Sequence, residues 1–375
     1  MVSDVISRVH GYVTRSGAKF VDRELEISSI LGEGRVVVHS YVTVLYGPKG
    51  CGKTALFEAL SRVVDPGSHG VLVVVARREA RDEGGRVGRY VDLYAPIGFL
   101  EAIGRALERL ARGVELRAGL LSVRGWSIGE AVWKLAGALA GLEGSVRRVI
   151  VVADELVARD IAKLREWLEG VADALAFNYE KLYRERGREV SVVALTSDAS
   201  VSEVRSVGLK VVWALMWNLP RQAAWSLAEQ LGLAGRLGEE LKVTQVDVEE
   251  LLWRLAGGNP RALEAINLGG LYRWVENEAL KAIKRFARRV GREKFLEYTG
   301  RIASSIDELD YTPELWQAAL KENIAISLMD AYYTISQLPR EPWIGENYAY
   351  QVPAYYYALR AIAKRGSLSI THREV

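Results

Sequence analysis

The residue types best suited to chemistry lie close together, in Tyr46-Gly47-Pro48-Lys49-Gly50-Cys51-Gly52-Lys53-Thr54-Ala55. From Gly47 to Thr54 the spacing is G-x-x-x-x-G-K-[ST], the pattern of a phosphate-gripping loop. Glycines let backbone N–H groups converge with no Cβ to keep a phosphate away. A helix beginning at the end of such a loop aims the positive end of its dipole at the same anion. Lys53 adds a point charge for the β- and γ-phosphates, and Thr54 offers a hydroxyl to Mg²⁺.

Cleaving the bound phosphate needs acids, and Asp154-Glu155 supply them after the apolar run Arg148-Val149-Ile150-Val151-Val152-Ala153. On that reading Asp154 is a metal ligand through water, and Glu155 orients and deprotonates the attacking water. Thr196-Ser197 close a further apolar run, and either hydroxyl could contact the γ-phosphate or simply cap the helix that follows. In Gly257-Gly258-Asn259-Pro260-Arg261-Ala262-Leu263 the glycines end one helix, while Asn259 caps the next and Pro260 takes its first position. There Arg261 is a candidate γ-phosphate cation, and Arg221 is a weaker one.

These groups need elements to carry them. Short β-branched runs at 41–46, 71–76, 148–153, 190–195 and 209–215 read as buried strands. Helical patterns at 53–64, 97–112, 127–140 and 160–185, with a short one near 201–206, alternate with them. That alternation argues for a parallel α/β sheet covered by helices on both faces. The charged stretch 77–89, with Gly84-Gly85 at its middle, reads as a surface turn or hairpin returning through 90–94. After Asn218-Leu219-Pro220 the strands stop. The expected organisation is a core over 1–219, a helical lid over 220–290 and a C-terminal unit over 291–375 with helices and a two-stranded element.

Composition narrows the class. The chain has 375 residues, 49% hydrophobic and 26% charged, with a formal net charge of +3. That is a foldable globular chain whose net charge does not by itself imply nucleic acid. The one cysteine, Cys51, excludes an intrachain disulfide and fits a cytoplasmic setting. The start, Met1-Val2-Ser3-Asp4, lacks a basic region followed by an apolar block, and no uncharged apolar segment is long enough to span a membrane. Few Met, His and Cys residues beside abundant Arg and Glu suggest a thermophile.

Taken together, Phe20 to Glu26, the loop Gly47 to Thr54, Asp154-Glu155, Thr196-Ser197 and Gly257 to Leu263 resemble the archaeal P-loop ATPases of the STAND/AAA+ type. Related patterns occur in origin-recognition initiators and NB-ARC switch ATPases. The resemblance covers about residues 18–268. It implies an ASCE-type, AAA+-like P-loop NTPase with sheet order 5-1-4-3-2, an all-α lid and a C-terminal winged-helix-like domain. It also implies that Val21 and Arg23 lie by the adenine, that Pro260 packs near the base or ribose, and that Arg261 is a sensor-type arginine. Asp22 is a departure, since relatives usually carry glycine there.

The expected activity is Mg²⁺-dependent binding and hydrolysis of ATP to ADP, with nucleotide state setting the position of the lid and C-terminal domain to regulate a protein or DNA partner. An alternative is an ATP-controlled DNA-binding protein of replication-initiator or mobile-element type. A small-molecule phosphotransferase is less favoured, because no acceptor-binding motif is evident. Lys281, Lys284, Arg285, Arg288, Arg289, Arg292 and Lys294 form a basic helix over 281–294, either a footprint for duplex DNA or a solvated face. The aromatic tract from Tyr332 to Tyr357 either stacks on bases or fills a small core.

Overall fold

A computed structural model describes residues 2–32, 36–37, 41–83, 86–108, 114–117, 120–124, 127, 130–132, 134–135, 146–154, 161–177, 187–197, 210–240 and 247–375. Its centre is a nine-stranded sheet. Its core strands are β1 (Val42–Tyr46), β2 (Val71–Glu83), β6 (Arg148–Ala153), β7 (Glu189–Leu195) and β8 (Val211–Leu215). Across the sheet these run β8-β1-β7-β6-β2, all parallel, so the fifth of them in the chain lies beside the first, then the fourth, third and second. β1 and β6 are buried along their whole length. Both faces are therefore covered, which is why their sequences are continuous apolar runs instead of alternating ones.

The sheet is wider than those five strands. β2 continues past Ala76 into a long hairpin with β3 (Arg86–Tyr94), so of the two readings of the charged stretch, surface turn or hairpin returning through 90–94, the structure shows the hairpin. β4 (Val114–Arg117) and β5 (Leu120–Arg124) pair antiparallel beyond it, and of the helix expected over 97–112 the described residues show Ile97–Glu108. Helix Ile161–Phe177 fills the first part of the 160–185 stretch. Most of 127–140 and all of 201–206 lie outside the described residues.

Helix α1 (Val2–His10) leads into a small turn closed by a bridge between Val13 and Lys19. Helix α2 (Glu24–Leu31) follows, and after β1 comes α3 (Lys53–Val63). Both α1 and α2 pack with α3 over one face of the sheet, through Val5, Val9, Ile27, Ile30, Leu56, Phe57 and Leu60.

Beyond Leu219 the chain is mainly helical. One hydrophobic cluster joins residues on either side of position 290, from Leu227 and Trp253 through Phe286, Phe295 and Ile302 to Leu359 and Ile370. β9 (Ala325–Ser327) and β11 (Tyr348–Tyr350) form a two-stranded antiparallel sheet. Between them β10 (Tyr333–Thr334) adds to the central sheet alongside β8. Thus the C-terminal region is stitched to the strand next to β1. Tyr348, Tyr350 and Tyr356 of the aromatic tract are buried here, and Tyr350 Oη donates to the Ile302 carbonyl at 2.6 Å. Burial pushes the Tyr348 phenol up to about 12. In contrast, Tyr332 and Tyr333 are exposed.

Candidate functional site

β1 delivers the chain to Gly47, and α3 takes it away from Gly52, so the phosphate-loop motif stands at the C-terminal edge of a parallel strand. Only glycine fits at two of its positions. A Cβ on Gly47 would lie 1.9 Å from the Met216 carbonyl oxygen, and one on Gly50 would lie 2.4 Å from Cβ of Arg261. The loop amides border a cavity of about 550 Å³. Lys53 curls back over the loop, its Nζ donating to the carbonyls of Gly47 at 2.9 Å and Pro48 at 3.2 Å.

β6 lies two strands from β1, beyond β7, and brings Asp154 to the same edge. Asp154 is 2% exposed, and its Oδ1 accepts from Thr54 Oγ1 at 3.0 Å although 100 residues separate them. The pair of metal ligands expected from sequence is therefore in contact. Among the described residues no group of three or more His, Cys, Asp or Glu could cage a metal. A hydroxyl and a carboxylate side by side fit Mg²⁺, which prefers hard oxygens, keeps several waters and takes further ligands from substrate phosphates. Glu155 lies outside the described residues.

Thus a glycine-rich loop, a lysine, and a Thr–Asp pair meet around one cavity. Residues 20–266 match the model of a family described as an ATPase domain predominantly from Archaea. The chain belongs to that family. No curated protein matches it.

In this archaeal ATPase domain Val21, Arg23, Lys49, Gly50, Cys51, Gly52, Lys53, Thr54, Ala55, Asp154, Thr196, Ser197, Pro260 and Arg261 all border the cavity, whereas Gly47 and Pro48 do not line it. Thr196 is buried, with its amide donating to the Leu45 carbonyl at 3.2 Å, while Ser197 is half-buried. Helix Pro260–Gly269 meets the loop end-on. Asn259 Oδ1 caps it by accepting from the Ala262 amide, and the Arg261 amide donates to the Gly50 carbonyl at 3.3 Å. The weaker candidate, Arg221, points elsewhere and pairs with Glu249 and Glu250.

Asp22 and Arg23 are consecutive left-handed residues, with φ of 60° and 84°. That conformation is natural for glycine and tolerated by Asp, which accounts for the departure at position 22 in backbone terms. Burial raises the Asp22 carboxyl above its ordinary range. Arg23 itself is 2% exposed, and its guanidinium donates to the Cys51 carbonyl at 2.6 Å and to Glu26. It braces the phosphate loop through a main-chain oxygen.

The sequence reading missed three groups. Tyr12, Thr14, Arg15, Ser16, Lys19 and Phe20 form a cavity wall, and all but Phe20 lie ahead of the family match. Glu58 and Arg77 line the cavity beside Asp154; Glu58 had one discernible signal, its place one turn after Thr54 on the same helix. Gln351, 302 residues away in the chain, accepts from the Lys49 amide through its side-chain oxygen at 2.9 Å.

Proposed function

We propose that this protein is a Mg²⁺-dependent ATPase that works as a switch, with the phosphate loop as the part that reports nucleotide state. The observation that carries the switch is how the loop is held. The Lys49 amide donates to Gln351 of the C-terminal region, and the Lys49 carbonyl accepts from Asn259 of the helical region at 3.0 Å. Asn259 also donates to Asn218, which in turn donates to the Gln351 carbonyl. All three side chains are at most 3% exposed. A shift in the loop when phosphates enter must therefore be passed to both regions or break buried hydrogen bonds.

The proposed residue roles are these. Lys53 leaves the carbonyls of its own loop for the β- and γ-phosphates. Thr54 and Asp154 would hold Mg²⁺, whose chemistry is to neutralise charge developing on the phosphate oxygens. Glu155, next in the chain, is the base that takes a proton from the attacking water. Thr196 or Ser197, together with Arg261, contacts the terminal phosphate from strand end and helix end. Among the described residues no helix is long and apolar enough to cross a membrane.

A protein partner reading the helical and C-terminal regions fits this arrangement better than duplex DNA on the basic stretch. The stretch 281–294 is not one helix: Lys281–Val290 ends at Gly291, and Arg292 and Lys294 belong to the next helix, Arg292–Ser304. In the first, Arg285 and Arg289 both pair with Glu322, and Arg288 Nε donates to the Lys284 carbonyl. Titration calorimetry with Mg²⁺ and ATP tests the binding step. Lys53→Ala is expected to lower affinity by about 100-fold or more, and Glu155→Gln to bind normally while losing turnover by a factor on the order of 100. Unchanged affinity in the first variant would remove the phosphate-loop assignment, and full turnover in the second would remove Glu155 as base.

A further inference from the structure

Helix α3 sets Glu58 one turn beyond Thr54, so both side chains border the cavity. The Glu58 side chain is only 5% exposed. Arg15 Nη2 donates to Glu58 Oε1 at 2.6 Å, and Arg77 Nη1 donates to the same oxygen at 3.3 Å. Arg77 follows Ala76 on β2, whose carbonyl accepts from the Asp154 amide. Its Nε stands 3.8 Å from Asp154 Oδ2, while Oδ1 of that carboxylate accepts from Thr54. A chain of alternating charge therefore runs from Thr54 through Asp154, Arg77 and Glu58 to Arg15.

Two nearly dry carboxylates side by side are unfavourable without compensating cations. Arg77 sits between them and cannot shed its charge. A divalent cation approaching Asp154 alone would meet that fixed guanidinium within a few ångströms, with little solvent to screen the repulsion. A cation carried by a polyphosphate arrives with excess negative charge and does not meet the same barrier. Glu58 then matters as a second acceptor, close enough to take Arg77 when Asp154 turns to the metal.

We propose that Arg77, steered by Glu58, is a positioning residue that reserves Asp154 for metal arriving with nucleotide, so that metal binding is conditional on nucleotide binding. The proposal rests on the Mg²⁺-dependent reading above. Arg15, from the turn ahead of the family match, keeps the Glu58 carboxylate aimed at Arg77.

The experiment is a Mn²⁺ titration of the full-length, nucleotide-free protein, with free metal read by electron paramagnetic resonance. Wild type is expected to show no saturable binding up to about 1 mM, and Arg77→Gln to gain at least about tenfold in affinity. Arg77→Lys, which keeps the charge, is expected to behave as wild type, and adding Asp154→Asn to Arg77→Gln is expected to abolish the gain. Equal Mn²⁺ binding by wild type and Arg77→Gln would overturn the proposal. Should Arg77→Gln not fold, Glu58→Ala decides, because it removes the carboxylate oxygen that Arg77 shares with Arg15. Mn²⁺–ADP is expected to bind about tenfold more weakly than to wild type, with metal-free ADP unchanged. Equal Mn²⁺–ADP affinity would again overturn it. Calorimetry of wild type with Mg²⁺–ATP separates the two readings. Absence of heat sinks both, whereas ATP binding without a metal gain in Arg77→Gln sinks only this one.

Discussion

Glu58 and Glu322 each hold two arginines, yet they serve different ends. Glu58 takes Arg15 and Arg77 at the rim of the cavity, with Asp154 beside them. Glu322 of the C-terminal region takes Arg285 and Arg289 on helix Lys281–Val290. Both glutamates are nearly buried, at 5% and 8% side-chain exposure. The arginines differ. Both partners of Glu322 are about half exposed, at 49% and 50%, whereas Arg77 is 20% exposed and serves a second buried acid. One carboxylate with two guanidiniums is thus a surface clamp in one place and a wall of the candidate cavity in the other. What distinguishes them is the neighbouring Thr54–Asp154 pair, not the cluster itself.

The comparison predicts unequal costs. Glu58→Ala strips the shared partner from Arg77 in a nearly dry site and is expected to lower stability by about 3 kcal/mol. Denaturant midpoints of the variant against wild type measure it. A loss no larger than that of the corresponding Glu322 change would mean that the two clusters are equivalent.

How much of this could be read beforehand depended on the range of the contacts. Gly47 to Thr54 and Asp154 follow local patterns, an apolar run ending in a loop or an acid, and the structure brings them together. Asn259 and Pro260 were likewise legible as a helix start. Arg77 was not, because charge in a strand that extends beyond the sheet core looks the same as charge in a surface turn. Arg15 and Gln351 reach the loop across 43 and 302 residues, to Glu58 and Lys49 respectively, and no periodicity encodes such a pairing. For the basic stretch 281–294 the sequence leaves a DNA footprint and a solvated face both open. Its charge is evident in sequence, but the acid that consumes part of it lies more than 30 residues away.

Gln351 adds a neutral counterpart to the ionic clusters. It is 3% exposed and accepts from the Lys49 amide with no charge involved. Gln351→Ala leaves that loop amide without its acceptor, at a cost of about 1–3 kcal/mol. If the switch reading holds, the larger effect is on coupling. Hydrogen exchange over 325–350 is expected to change between ATP- and ADP-bound wild type, and that difference is expected to shrink in the variant. An identical nucleotide response with and without the Gln351 side chain would detach the C-terminal region from the loop.

The smallest effect belongs to Glu322, and pH isolates it. Burial alone would raise its carboxyl, but Arg289 and Arg285 outweigh burial and hold it below the ordinary range. A carboxylate depressed in the folded state contributes stability above its unfolded value, and that contribution fades as pH falls through the folded one. Glu322→Gln is therefore expected to cost about 1 kcal/mol at pH 7, the scale of a half-exposed ion pair. The gap from wild type is expected to start narrowing as pH falls below the ordinary glutamate value of about 4.3 and to close only through the lower, folded range, where the native glutamate takes up its proton. Melting curves of both proteins from pH 7 to pH 3 provide the check. Since Glu322 does not line the cavity, ATP affinity is expected to stay at the wild-type value. A loss of affinity alongside the small loss of stability would show that the C-terminal clamp also feeds the site, and the contrast with Glu58 would then be one of degree.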